Sequence, residues 1–285
     1  MNAIEVKNLN RRLGDFFELT DIDLTLPKGF IMGLIGRNGA GKSSLIKAIL
    51  NVMDFKGQIN ILGKDVELVD KNKIGFYSSE FTFPEYLSVN KIENFMKNIY
   101  SYWDSEKFDA YMKQFDIEKK QRYGSLSKGM KTKLALAIAL SHNAELLILD
   151  EPAEGLDPVA RDELNEIIFD FTRSEDHTVL ISSHIVSDLE KICDYIAVMR
   201  DGKIVMCDEK DAICEKYVIA QASVEDFNAV PHEHIIGKKE TPYGIKGIVV
   251  REYAPANAVI TEVTLEDMFV YMEKEAQEED ESYAD

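Results

Sequence analysis

The chain is poor in several things. It has three cysteines in 285 residues, Cys193, Cys207 and Cys214. An odd number without CxxC spacing provides neither a disulfide framework nor a zinc site, and it suits a reducing compartment. Basic charge is scarce: 33 Lys and Arg face 51 Asp and Glu, a net charge of −18. Duplex binding relies on cations that neutralise phosphates, so no broad nucleic-acid surface is expected. Long apolar runs are missing as well. A run such as LALAIAL (134–140) is far below the roughly 20 residues that span a bilayer. The opening MNAIEVKNLNRRLG lacks an apolar core of signal-peptide length. A soluble, cytoplasmic chain is expected, and any work at a membrane needs another polypeptide to supply the span. No internal repeat is visible.

What is present fills one large domain with a small appendage, since 45% of the residues are hydrophobic. FIMGLI (30–35), ELLIL (145–149), TVLISS (178–183) and YIAVMR (195–200) are short apolar runs without alternation. That pattern suits strands buried on both faces of a parallel sheet. Helical patterns separate them: KSSLIKAILNVM, LNEIIFDFTR (164–173) and DLEKICD (188–194). The alternation implies an α/β core. The first thirty residues and 57–77 contain alternating or turn-rich pieces and are expected to form an antiparallel layer beside it. Residues 90–122 carry Ile92, Phe95, Met96, Ile99, Tyr100 and Trp103 at helical spacing, followed by Phe108, Tyr111, Met112 and Phe115. They read as an inserted helical subdomain, about 85–142. From residue 216 short candidate strands, IKGIVVREY and NAVITEV, lead to a helix starting at Thr264, where TLED supplies an N-cap oxygen and an acid three residues later. The acidic tail EEDESYAD is expected to be disordered.

Two segments carry chemistry. GRNGAGKSS fits GxxxxGK[ST], with Gly36, Gly41, Lys42 and Ser43 at the fixed positions. Glycines let backbone N–H groups of Gly36, Arg37, Asn38, Gly39, Ala40, Gly41 and Ser44 close on a phosphate without Cβ obstruction. Lys42 places a cation at the β- and γ-phosphates, Ser43 offers a hydroxyl to Mg²⁺, and the following helix presents its positive end. LLILDEP then ends a buried strand with Asp150 and Glu151, at the carboxyl end where α/β sheets bind ligands. Asp150 is suited to hold Mg²⁺ through water, and Glu151 to polarise the water that attacks a γ-phosphate. A guanine-reading NKxD is approximated only by Asn90-Lys91-Ile92-Glu93, which opens an amphipathic helix, so ATP is preferred.

Taken alone, LSKGM (126–130) is a helix start with Ser127 as N-cap. With EGLD (154–157) and SSH (182–184) after the acids, the ordered set resembles the ATP-binding cassette (ABC) ATPases over about residues 1–215. The nearest likeness is to bacterial exporter-type cassettes that pair with a separate membrane subunit. The resemblance implies a P-loop NTPase core in 1–215 and leaves 216–285, beyond its reach, as a small C-terminal α/β extension. It implies two cassettes, identical or sister, sandwiching two ATP molecules. Ser127 and Gly129 would then contact the γ-phosphate across the dimer, His184 would touch it and hold the attacking water, and Asp157 would organise the seam. It also implies a permease docking on the helical insert and the loop 78–85, and a place on the inner face of the cell membrane.

The chain departs from the family pattern in three places. Lys128 and Met130 replace Gly and Gln of the usual LSGGQ. The Q-loop glutamine is missing from IGFYSSEFTFPE (74–85), leaving Ser79 or Glu80 near its position, and Glu80 is the expected substitute at Mg²⁺. Leu13 stands where the family stacks adenine on an aromatic, so Phe16 or Phe17 is the expected replacement, with Phe16 preferred. The resemblance implies an ATPase that powers transport through a separate membrane protein. Two other readings stand beside it: a soluble cassette acting on ribosomes or DNA, and a non-catalytic nucleotide sensor.

Overall fold

The structure is a computed structural model that describes residues 1–14 and 17–284, with side chains as far as Lys274. The chain divides into two compact units, Met1–Cys207 and the residues from Asp208 onward.

The first unit opens with β1 (Asn2–Leu13) and β2 (Phe17–Pro27). They pair antiparallel, with register shifts along β1. β2 alternates strictly over Ile22, Leu24 and Leu26, which are buried, and Asp23 and Thr25, which are exposed. Such alternation marks a sheet wet on one face. β3 (Ile31–Ile35) is buried at every residue and leads through the glycine loop into α1 (Lys42–Ile49). β4 (Lys56–Ile61) and β5 (Lys64–Asp65) complete a four-stranded layer in the order β2-β1-β4-β5.

β6 (Ile74–Ser78) is followed by the helical insert: α2 (Val89–Ile99), α3 (Ser105–Gln114) and α4 (Lys128–Leu140). The chain then returns through β7 (Leu146–Asp150), α5 (Pro158–Thr172), β8 (Thr178–Ser183), α6 (Val186–Glu190), β9 (Tyr195–Arg200) and β10 (Lys203–Glu209), the last crossing the boundary between the units. The main sheet runs β10-β9-β3-β8-β7-β6, parallel from β9 through β6. The expected α/β core with a mostly parallel sheet, an antiparallel N-terminal layer and a helical insert is what forms.

β6 departs from the expectation. The segment 57–77 reads as antiparallel layer, yet 74–78 pairs parallel with β7 in the main sheet. Packing explains this. A Cβ at Gly75 would lie 2.6 Å from the carbonyl oxygen of Ala139, so only glycine lets this strand press directly on α4, and the Tyr77 hydroxyl meets Thr132 of that helix at 3.3 Å. The two layers share a core that includes Ile4, Leu24, Leu26, Leu45, Ile148 and Leu180. Each fully buried aliphatic side chain contributes about 1.5–3 kcal/mol. This core fixes the carboxyl ends of β3, β7 and β8, where the acids and the glycine loop emerge.

The second unit contains α7 (Lys210–Lys216), β11 (Tyr217–Ala222), α8 (Val224–Asn228), β12 (Ile235–Thr241), β13 (Gly244–Val250), β14 (Val259–Glu262) and α9 (Leu265–Ala284). Its sheet runs β12-β13-β11-β14, every pair antiparallel, around a fully buried Phe227. The Thr264 hydroxyl accepts from Asp267 N–H at 3.0 Å while the Asp267 carboxylate accepts from Thr264 N–H at 3.2 Å, the reciprocal cap that TLED promises. The helix continues through the acidic tail to Ala284, where disorder is expected from composition. Burial of Met268, Tyr271 and Met272 anchors its first turns, and the glutamates that follow are good helix formers.

Candidate functional site

The loop between β3 and α1 is shaped by glycine. Gly39 has φ +88° and Gly41 +110°, the left-handed region that side-chain-bearing residues avoid. Gly36 is glycine for room: a Cβ there would lie 2.4 Å from the carbonyl oxygen of Met199. Gly41 caps α1 with no side chain bonded to the helix's first N–H groups. Those donors and the helix dipole point at one place, as an anion site requires.

Asn38, Gly39, Gly41, Lys42, Ser43, Ser44 and Glu151 line one cleft of about 390 Å³, together with Leu13 and Phe17. The Lys42 side chain is 5% exposed. It donates to the carbonyl oxygens of Gly36 at 2.6 Å and Arg37 at 3.2 Å. It also lies 3.1 Å from Glu151 Oε1, an ion pair in which that oxygen receives no aligned hydrogen bond. Glu151 Oε2 meets His184, Nδ1 at 2.9 Å and the backbone N–H at 3.3 Å. The carboxylate thus bridges the loop after β3 and the end of β8. Glu151 itself has φ +52°, a left-handed backbone costing about 1–2 kcal/mol in a residue with a Cβ. Such strain persists where surroundings impose it, typically at functional sites.

Ser182 supports this backbone, and sequence reasoning missed the residue. Its hydroxyl donates to Asp150 Oδ1 at 2.7 Å and accepts from Glu151 N–H at 3.0 Å. One fully buried side chain therefore orients both acids. SSH was visible as a strand end, but nothing in a strand pattern tells which partner a buried hydroxyl finds.

The remaining expected site residues lie elsewhere. Ser127 caps α4 by accepting from Met130 N–H at 3.2 Å. Asp157 caps α5, accepting from Val159 and Ala160 N–H at 3.0 Å each. The Ala160 and Val159 donors hold the Asp157 carboxyl below its ordinary value of 3.8. These two helix starts are neighbours: a Cβ at Gly129 would lie 3.8 Å from the Ala160 Cβ, and the Lys128 ammonium lies over Gly155. None of Ser127, Gly129 and Asp157 lines the cleft around Lys42. Glu80, the expected metal ligand, faces Lys47 at 3.4 Å and lines a different cavity, with Lys71 and Phe76. Its side chain is well exposed on a loop that leaves β6 on that side. Phe16 lies outside the described residues. Phe17, its neighbour, lies on the cleft, its ring edge 3.0 Å from where a Gly41 Cβ would stand.

Residues 19–154 match the ABC transporter family. The chain is 35% identical over 211 residues to the lantibiotic transport ATP-binding protein SrtF of Streptococcus pyogenes, covering 73% of this chain and 91% of that one. The chain belongs to the ATP-binding subunits of ABC transporters. This cassette is 32% identical over 220 residues to the bacitracin transport ATP-binding protein BcrA of Enterococcus faecalis, covering 71% of the chain and 68% of the relative. Its fold matches an ATP-binding cassette solved as a dimer in a post-hydrolysis state with ADP and Pi, with a TM-score of 0.63 at 19% identity, over 72% of this chain and 98% of that one. The cassette is an ATPase that serves a transporter. Among the described residues no helix is long and apolar enough to cross a membrane.

Proposed function

We propose that two such cassettes, or this one and a sister, close face to face over two ATP molecules and separate after hydrolysis, driving a separate permease. The observation that carries this reading is the bridged carboxylate: Glu151 reaches Lys42 on one side and His184 on the other. It sits beside a glycine loop whose helix has no side-chain cap. The loop N–H groups and Lys42 hold the β- and γ-phosphates. Glu151 Oε1 is ion-paired with Lys42 at 3.1 Å, and it is the oxygen that takes a proton from the attacking water once the phosphates draw that lysine away. His184 holds Glu151 through Oε2 and fixes that geometry. Ser43 and Asp150 offer hydroxyl and carboxylate oxygens, hard donors that suit Mg²⁺, which takes few protein ligands beside phosphate and water. Those two residues would hold the ion where it would neutralise charge on the transferred phosphoryl group. Glu80 is left out of this set because it pairs with Lys47.

Phe17 and Leu13 wall the cleft and form the platform for adenine. Across the seam, Ser127 and Gly129 meet the partner's γ-phosphate at the start of α4, and Asp157 stands on the adjoining helix start. The first unit, Met1–Cys207, works as the cassette and the second as an extension of it, a boundary somewhat earlier than the 215/216 expected from sequence. A cytoplasmic helix of the permease docks in the apolar groove beside β6 and α2, which holds the cassette at the inner membrane face. The test is Glu151→Gln in the full chain. With ATP and Mg²⁺ it should pair, by small-angle scattering, and turn over ATP at well under a hundredth of the wild-type rate. A variant that never pairs, alone or beside its native companions, would sink this reading.

A further inference from the structure

The Lys42–Glu151 contact has a consequence separate from water activation. Lys42 is almost wholly buried, and its ammonium has three protein neighbours: two loop carbonyls and Glu151 Oε1. A nucleotide's phosphates claim that same ammonium. Glu151 and the phosphates are both anions, and the cleft that holds them is lined by both Lys42 and Glu151. They therefore compete for one cation in a partly desolvated place, where charge interactions are strong.

We infer that Glu151 is a counter-anion for Lys42 that nucleotide must displace, so that phosphate binding and release of the general base are one exchange. Lys42 leaves Glu151 for the phosphates, while Glu151 keeps Oε2 on His184 and turns Oε1 over to water. A base paired with the phosphate-binding lysine is held back until there is a phosphate to attack. This rests on the nucleotide reading of the cleft but not on pairing of two cassettes or on hydrolysis. Asp150 supplies the internal comparison. It is the adjacent carboxylate, equal in charge, but its Oδ1 is held by Ser182 and no ion pair ties it to Lys42.

The test is ADP binding to dilute full-length protein by calorimetry, with EDTA present so that neither metal nor pairing contributes. Glu151→Gln should bind ADP on the order of tenfold more tightly than wild type, the worth of a charged contact no longer broken. Asp150→Asn should tighten it clearly less, by no more than about threefold, because it removes the same charge from the neighbourhood without freeing Lys42. Glu151→Ala, measured alongside, should follow Glu151→Gln and guards against an effect peculiar to the amide. Equal tightening in Glu151→Gln and Asp150→Asn would overturn the inference, since bulk charge would then explain it. No tightening in either Glu151 variant would overturn it as well. Failure of every form, wild type included, to bind ADP would overturn the nucleotide reading itself.

Discussion

Ser182 is small, has no charge, and orders two acids. Replacing it with alanine leaves a buried carboxylate oxygen of Asp150 and the N–H of Glu151 without partners. Unsatisfied buried groups cost about 1–3 kcal/mol, and here the strained backbone of Glu151 loses its support too. Ser182→Ala should lower the melting temperature and depress ATP turnover more than tenfold, read by thermal unfolding and a phosphate-release assay. Wild-type values for both would remove Ser182 from the site. His142 gives a second prediction at this scale. It is fully buried, stacked on Tyr100 with ring centroids 3.8 Å apart. Nδ1 meets the Asn72 carbonyl oxygen at 2.9 Å, and Nε2 is buried without a partner. Burial pushes its pKa below the ordinary 6.5. At pH above 6.5 both folded and unfolded chains hold it neutral and its contribution to stability is complete. As pH falls through 6.5 the unfolded chain takes up a proton that the folded chain refuses, so stability declines from there downward. Melting curves from pH 8 to pH 5 should fall less steeply in His142→Asn than in wild type, although the variant starts lower. The Ser43, Asp150, Glu151 and His184 positions were legible because each sits at a strand end or glycine loop in a fixed order. Ser182 and His142 were not, because burial and partner choice for a lone polar side chain are set by neighbours distant in sequence.

Helix starts are the elements on which the proposed seam depends. The start of α4 was readable from LSKG, since a serine before an apolar stripe is a cap whatever else it does. A cap and a phosphate contact make opposite demands when charge is added, and this separates them. Ser127→Ala should cost about 1 kcal/mol of stability through the lost cap. Ser127→Asp keeps an oxygen for Met130 N–H and an anion at the positive end of the helix, so stability should stay within about half a kcal/mol of wild type. That carboxylate would face the partner's phosphates. ATP-driven pairing in a Glu151→Gln background, followed by scattering, should therefore be lost in Ser127→Asp while the melting temperature is kept. Pairing unchanged by the added charge would take Ser127 out of the seam. β6 shows what element-level reading misses. IGFYS has a glycine and partial alternation, the marks of an exposed layer, yet the glycine is there to admit α4.

On the scale of the molecule, an acidic chain that displays aromatic side chains needs a reason for them. α2 has two apolar faces. Val89 and Ile92 are both 0% exposed and face the core, whereas Phe95 and Ile99 are 57% and 51% exposed. Helical spacing alone places these side chains together and does not tell the outward pair from the buried one. With Phe76 and Phe81 the outward face lines a cavity of about 320 Å³, continuous through shared residues with the one that contains Lys47 and Lys71. A contiguous exposed apolar surface of this kind marks an interaction site, and it is separate from the cleft around Lys42. The two faces therefore predict opposite outcomes for the same chemical change. Ile92→Glu puts an unpaired charge in the core and should leave little folded protein. Phe95→Glu points into solvent, so the cassette should fold, bind ADP and pair with ATP as before. It should, however, lose co-purification with its permease from detergent-solubilised membranes, along with any ATPase stimulation the permease gives. If Phe95→Glu still recovers the permease at wild-type yield, docking lies on another surface and the exposed rings need a different occupant.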